Sequence, residues 1–101
     1  MAVQRYGFIF KAPGMQFLTH NGCLESESFA ATLCGVANVE EALLVAQELL
    51  TRHVQLIELC GAFTEAEVEQ IRDAVDDRIP VAAVHYSAPM QQRLQQLSPG
   101  P

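Results

Sequence analysis

The sequence has little basic charge and no long apolar run, and each shortage excludes a class of partner. Six lysine and arginine residues stand against twelve acidic ones, which gives a formal net charge of −6. Without a basic cluster the chain cannot neutralise a row of phosphates, so we expect no binding to nucleic acid or to an anionic membrane surface. No apolar run approaches the ~20 residues of a membrane span. The first residues lack the arrangement of a signal peptide, which favours the cytoplasm.

Cysteine and the common ligand-binding motifs are also scarce. Three cysteines without a signal peptide argue against a disulfide scaffold. His20 and Cys23 have a ligand-like spacing, but no second pair follows them, so we predict no metal site. The sequence contains no G-x-G-x-x-G, Walker or G-x-S-x-G motif, and we expect no cofactor.

What the sequence does have is apolar residues, which make up half of its 101 positions. A chain of this length forms one domain with a small core. We therefore predict a single α/β domain over residues 1–101, with a flexible tail at 97–101. Because a small body has much surface for its volume, the apolar excess predicts that another subunit covers part of it. We expect a homo-oligomer.

Strands and helices alternate along most of the chain. Apolar stretches predict strands at residues 3–10, 29–36, 54–60 and 81–86. A helix follows each of the last three strands, and the first two of these helices begin with capping pairs, Asn38 with Glu41 and Thr64 with Glu67. Strands that alternate with helices form right-handed parallel crossovers.

These elements predict a small α/β sandwich with a four-stranded, mostly parallel sheet and helices on both faces. The expected strand order is 2-1-3-4, counting the predicted strands along the chain, with the second strand at the edge. An antiparallel pairing of the first two strands stays open. Residues 15–28 are the hardest to assign: Asn21-Gly22 is a turn signal, and a short helical turn at 15–20 is one interpretation.

The predicted binding pocket lies where the strands end. In open α/β sheets ligands bind at the carboxyl ends of the strands, next to the switch in strand order. That switch falls between the first and third predicted strands, where the loop after the first strand faces the turn at 58–63. The end of the fourth strand joins them. The residues expected to contact a ligand are Lys11, Pro13, Gly14, His20, Cys60, Gly61, Phe63 and Tyr86.

Three ionisable side chains near these strand ends allow more than one role. Glu58 lies in an apolar strand, so its carboxylate requires a partner. It is either a general acid/base or ligand anchor, or the acid of a structural pair with Arg5 or Lys11. Cys60 is either a nucleophile near a helix N-terminus or an inert core thiol. His85 either transfers protons or satisfies a backbone carbonyl.

A set of short segments spread over residues 3–90 points to a family. They are Phe8-Ile9-Phe10, Ala12-Pro13, His20, Gly35-Val36 with Asn38, and Gln55-Leu56-Ile57-Glu58-Leu59-Cys60-Gly61 with Phe63. Together they resemble the bacterial and archaeal domain-of-unknown-function family 6506, and the E-L-C-G-x-F block is the most specific part. The family's V-R-F-D-x-H-P-G segment is replaced by Val84-His85-Tyr86-Ser87-Ala88-Pro89-Met90. The resemblance implies a family without assigned chemistry.

Three functions follow as hypotheses. The first is a small-molecule-binding module that acts as a homo-oligomer, with anions as one class of ligand. The second is a small isomerase or lyase that transfers a proton with Glu58 and His85, which requires both groups to reach one cavity. The third is a structural or interaction protein, which a large apolar subunit contact favours.

Overall fold

The computed structural model describes residues 3–97, which form one mixed five-stranded sheet with three helices. The strands are β1 (Arg5–Lys11), β2 (Asn21–Glu25), β3 (Ala30–Val36), β4 (Leu56–Leu59) and β5 (Val81–Ala83). The helices are α1 (Val39–Thr51), α2 (Glu65–Ala74) and α3 (Ala88–Gln95). The strand order is β2-β3-β1-β4-β5, with β2 antiparallel to β3 and every other pair parallel.

The predicted α/β class and strand order are confirmed. The four predicted strands correspond to β1, β3, β4 and β5, whose order in the sheet is the expected 2-1-3-4. The open question about the first two predicted strands is settled, since β1 and β3 pair in parallel from Arg5↔Ala30 to Lys11↔Val36. Apart from Leu97, the predicted tail at 97–101 lies outside the described residues. None of the helices in residues 3–97 is long and apolar enough to cross a membrane.

The fifth strand, β2, is the part of the sheet that the sequence did not predict. Asn21-Gly22 begins this strand rather than forming a turn, so that prediction was wrong. The tight turn lies four residues later, where the Ser26 N–H donates to the Phe29 carbonyl at 2.8 Å. Because β2 pairs with β3, β2 is the edge strand. The prediction that β3 lies at the edge was wrong. The helical turn expected before β2 is present, since the His20 N–H donates to the Gln16 carbonyl at 2.7 Å.

Helices α1 and α2 both pack on one face of the sheet, so the prediction of helices on both faces was wrong in this respect. The crossovers from β3 to β4 and from β4 to β5 step in the same direction across the sheet. Right-handed connections that step in the same direction put their helices on the same side. The third helix does not cover the other side, because α3 has no buried residue.

The core lies between α1 and α2 and the face of the sheet on which they pack, which we call the helical face. Its fully buried side chains include Ile9, Cys34, Ile57, Leu59, Leu49 and Ile71. Burial raises the pKa of the Cys34 thiol to about 11, so this cysteine is a protonated core residue. No buried polar or charged residue lies among those described.

The opposite side of the sheet, which we call the open face, carries no helix of this core. Side chains alternate along each strand, and the registers Phe8↔Leu33, Phe8↔Glu58 and Leu24↔Ala31 show which of them share this side. The open face carries the side chains of Tyr6, Phe8, Phe10, Leu24, Ala31, Leu33, Leu56, Glu58 and Ala82, none of which is buried. Gly22 and Gly35 lie on the same side of the sheet.

Close contact between α1 and the sheet depends on Gly7 in the central strand. A Cβ atom at this position would lie 2.8 Å from Leu49 Cδ1 and 3.3 Å from Val54 Cγ1. Leu49 is fully buried, so it has no free space into which it could move.

We expect Gly7→Ala to lower the free energy of unfolding by about 1–3 kcal/mol, because the added methyl group overpacks the core. Gly22→Ala is the matched control, since nothing lies within 4 Å of a Cβ atom there. Urea denaturation of both variants measures the difference. Equal stabilities for the two variants would contradict the close approach of α1.

Candidate functional site

An open cleft of about 630 Å³ lies at the carboxyl ends of β1, β3 and β4. We call it the strand-end cleft. Its lining comes from the loops after these three strands and from the first turns of α1 and α2, namely residues 11–13, 37–40, Ala62 and Glu67. The central strand ends here between its two neighbours, which is where the sequence predicted a pocket.

The two helices that begin at the cleft have the caps predicted from the sequence. Asn38 Oδ1 accepts from the Glu41 N–H at 2.9 Å, and the Asn38 carbonyl accepts from Ala42. This leaves the N–H groups of Val39 and Glu40 in the first turn without an intrahelical partner, at the wall of the cleft.

The first turn of α2 is closed by a full capping box. Thr64 Oγ1 accepts from the Glu67 N–H at 3.2 Å, and Glu67 Oε1 accepts from the Thr64 N–H at 2.9 Å. Glu67 also lines the cleft, so it both caps the helix and contributes a carboxylate to the cleft.

Lys11 is the basic residue of the cleft, and its charge is already matched. Its Nζ lies 2.7 Å from Glu67 Oε1 and 5.3 Å from the centre of the Phe63 ring. The side chains of Lys11 and Glu67 are only 21% and 20% exposed, so little solvent separates them. The hydrogen bond from Lys11, and then the bond from the Thr64 backbone, lower the pKa of Glu67. An incoming anion would therefore compete with Glu67 for the ammonium group.

We expect Glu67→Gln to lower the free energy of unfolding at neutral pH by about 1 kcal/mol, because a charge-assisted hydrogen bond from Lys11 is replaced by one to a neutral amide. Glutamine can still complete the capping box, so the loss reports mainly on the Lys11 pair. A lowered carboxyl pKa stabilises the fold above the unfolded pKa, and this contribution disappears as the pH falls through the folded pKa of Glu67.

Denaturation curves from neutral to acidic pH measure this effect. The gap between wild type and Glu67→Gln should close as the pH falls. Glu69→Gln is the control. Glu69 Oε1 lies 2.5 Å from Arg72 Nη1, and the side chain of Glu69 is more than half exposed. A gap that is constant with pH would contradict the coupling.

Glu58 does not line the strand-end cleft, because it belongs to the open face. Its strand neighbours Ile57 and Leu59 point into the core, and Glu58 lies beside Phe8 and Ala82 across the sheet. Burial, and then hydrogen bonding and charge interaction with Glu58, together raise the pKa of Tyr6 to about 12. Glu58 therefore lies close enough to Tyr6 for the two groups to interact.

The structural pair suggested for Glu58 does not form with either predicted cation. Lys11 binds Glu67, and the salt bridges within residues 3–97 do not include Glu58. Arg5 and Lys11 alternate with Tyr6 along β1 and so point to the other side of the sheet. The sequence identified the need for a partner, but neither of the two cations given as examples is that partner.

His85 lies on the helical side of the sheet. It lines a separate depression of about 240 Å³ with Ala83 and with residues of α2, among them Val68 and Arg72. Glu58 and His85 therefore lie on opposite faces and do not reach a common cavity. The proton-transfer hypothesis required that shared cavity, so this pairing was wrong.

Two residues predicted to contact a ligand, Lys11 and Pro13, line the strand-end cleft. Gly61 and Tyr86 do not line it, and a Cβ atom at Gly61 would fall 2.6 Å from the Tyr86 hydroxyl oxygen. Gly61 and Tyr86 thus pack on each other, and Gly61 leaves room for the ring. Phe63 is buried beneath Lys11 and contributes to the cleft through the ammonium–ring contact.

The remaining predicted residues lie outside the lining of the cleft. Cys60 is half-buried, and its Sγ accepts from the Lys11 N–H at 3.3 Å. His20 Nδ1 accepts from the Gln16 N–H at 2.9 Å and so closes its own turn. Gly14 has a φ of 80° in the turn after β1, which a residue with a side chain rarely adopts. Residues 3–97 bring together no group of three or more metal-ligating side chains.

Sequence reasoning missed several residues of the cleft, above all Glu40, Ala62 and Glu67. Their signal was present in the two capping pairs. The N-terminus at Thr64 was expected at the pocket, whereas the pair Asn38 with Glu41 was interpreted only as a helix start. A cap that follows directly after a strand also places a helix N-terminus at the strand end, and so at the cleft.

Comparison with known proteins gives a family and nothing finer. The model of a family of unknown function, DUF6506, matches residues 4–98. The chain belongs to DUF6506. The family suspected from the E-L-C-G-x-F block is thereby confirmed, and the match extends beyond the segments that first indicated it. No curated protein and no solved structure matches the chain. Membership of DUF6506 assigns no chemistry to the chain.

Proposed function

We propose that this DUF6506 protein is a small-molecule-binding module that uses the strand-end cleft and acts as a homo-oligomer in the cytoplasm. One observation carries the proposal: the ends of three strands and the N-termini of two helices converge on one open space. Ligands of open α/β sheets bind in this position. The three cysteines are free, which agrees with a reducing compartment.

The dimensions and lining of the cleft support a small ligand. Its volume of about 630 Å³ is within the range of roughly 300–1,000 Å³ that small-molecule sites occupy. Small apolar surfaces come from Pro13, Ala37 and Ala62. The unpaired N–H groups of Val39 and Glu40 offer donors to an acceptor on the ligand.

The charges around the cleft indicate which ligands it favours. Lys11 is neutralised by Glu67, and Glu40 adds a second carboxylate to the lining. A polyphosphate would meet net negative charge there. The balance favours a small polar ligand that is neutral or singly charged and has hydrogen-bond acceptors for the helix N–H groups.

A fragment library of small polar compounds, screened by thermal shift, tests the proposal. We expect binders to raise the melting temperature of the wild type by roughly 5–10 °C at about ten times their Kd. Ala62→Phe should abolish this response, because the ring fills the cleft from an exposed position.

Ala66→Phe is the matched control, since Ala66 is exposed on α2 and does not line the cleft. It should respond like the wild type, and so should Glu58→Gln, because Glu58 lies on the open face. The absence of any binder, or an equal response from Ala62→Phe, would refute binding in the cleft.

A further inference from the structure

An aromatic stripe runs along the middle of the open face. Strand β1 is the central strand of the sheet, and its side chains on this face are Tyr6, Phe8 and Phe10. Tyr6 also stacks on Phe29, with ring centres 6.3 Å apart. Leu33 and Leu24 extend the apolar surface towards β2 and are 37% and 68% exposed. Tyr6, Phe8 and Phe10 are half-buried, so Leu24, Phe29 and Leu33 provide the most exposed apolar side chains of this surface. An exposed apolar patch on a folded domain indicates an interaction site.

The chain exposes more surface than a monomer of its mass. Its accessible surface is 6877 Å² for a mass of 11.1 kDa. A monomeric globular protein of that mass exposes about 5,700 Å². This excess of roughly 1,200 Å² is a property of the whole chain, and it is larger than the roughly 800 Å² that each partner contributes to a standard protein interface.

The charge distribution allows two copies of this face to meet. Although the chain carries a net charge of −6, Glu58 is the only acidic residue of the open face. Its carboxylate already interacts with Tyr6. Self-association through this face therefore brings together one carboxylate from each copy, that of Glu58, whereas the loops and the helical side carry the other acidic residues.

The position of the stripe on the central strand also fits a two-fold axis. An isologous interface requires a patch that is complementary to itself. A stripe in the middle of the sheet meets its own copy when the two sheets are rotated about an axis near Phe8. Sheets packed face to face in this way enclose an apolar layer about 10 Å thick.

We propose that a second copy of this chain covers the open face, so that two sheets pack face to face with their β1 strands near the two-fold axis. Helix α3 is not the cover, because every described residue of α3 is exposed. The inference deepens the homo-oligomeric part of the proposed function. It does not depend on a ligand in the strand-end cleft, which is lined by no residue of the open face.

Light scattering coupled to size exclusion tests the proposal on the full chain at micromolar concentration. We expect the wild type to have twice the mass of 11.1 kDa. Leu33→Glu should weaken the dimer about 100-fold, because it buries an unpaired charge in the contact. Leu44→Glu is the matched control, since Leu44 is 69% exposed on α1, on the other side of the sheet, and its variant should remain dimeric.

Leu24→Glu provides a second variant in case Leu33→Glu fails to fold. Leu24 is the more exposed of the two in the single chain, so a charge there disturbs the fold less. Circular dichroism confirms that each variant is folded. A monomeric wild type, folded open-face variants that both keep the dimeric mass, or equal dissociation of Leu44→Glu would each overturn the proposal. Loss of fragment binding without a change in mass would affect only the cleft.

Discussion

The handedness of two crossovers determines how this small domain uses its surface. Because β3–α1–β4 and β4–α2–β5 step the same way across the sheet, both long helices lie on one face. The buried core lies on that face of the sheet, and the absence of a side chain at Gly7 lets α1 pack closely against it. The other face is left with aromatic and aliphatic side chains but without a helix to bury them. The apolar excess of the composition is thus divided between an internal core and an external face.

The same topology creates the strand-end cleft. Parallel strands end at one edge of the sheet, and each helix that follows must begin there, so polar caps and strand ends collect in one place. Asn38 and Thr64 satisfy some of the helix N–H groups and leave others facing the open space. The fold therefore provides hydrogen-bond donors at the cleft without a dedicated binding motif.

Sequence patterns predicted those parts of the molecule that local physics determines. The apolar strands and the capping pairs were found because each depends on neighbours within a few residues, and the strand order followed from the alternation of strands and helices. Strand β2 was missed because all of its residues are exposed, so it has no apolar pattern. Its only local signal, Asn21-Gly22, is also typical of a turn.

The site was predicted less completely, because it depends on sheet registers. The position of the pocket at the strand ends followed from the fold class. Which side of the sheet each residue faces did not, since Glu58 and His85 belong to different strands and their relative phase is defined only when Glu58 is paired with Ala82. Tyr6, which interacts with Glu58, lies fifty-two positions away, and no local rule connects the two residues.

The ion pair between Lys11 and Glu67 fastens the last residue of the central strand to the first turn of α2. Both side chains also form part of the cleft wall. A ligand that binds either charged group must therefore replace this ion pair or leave the first turn of α2 without it. Occupancy of the cleft is consequently coupled to how firmly α2 is held against the sheet.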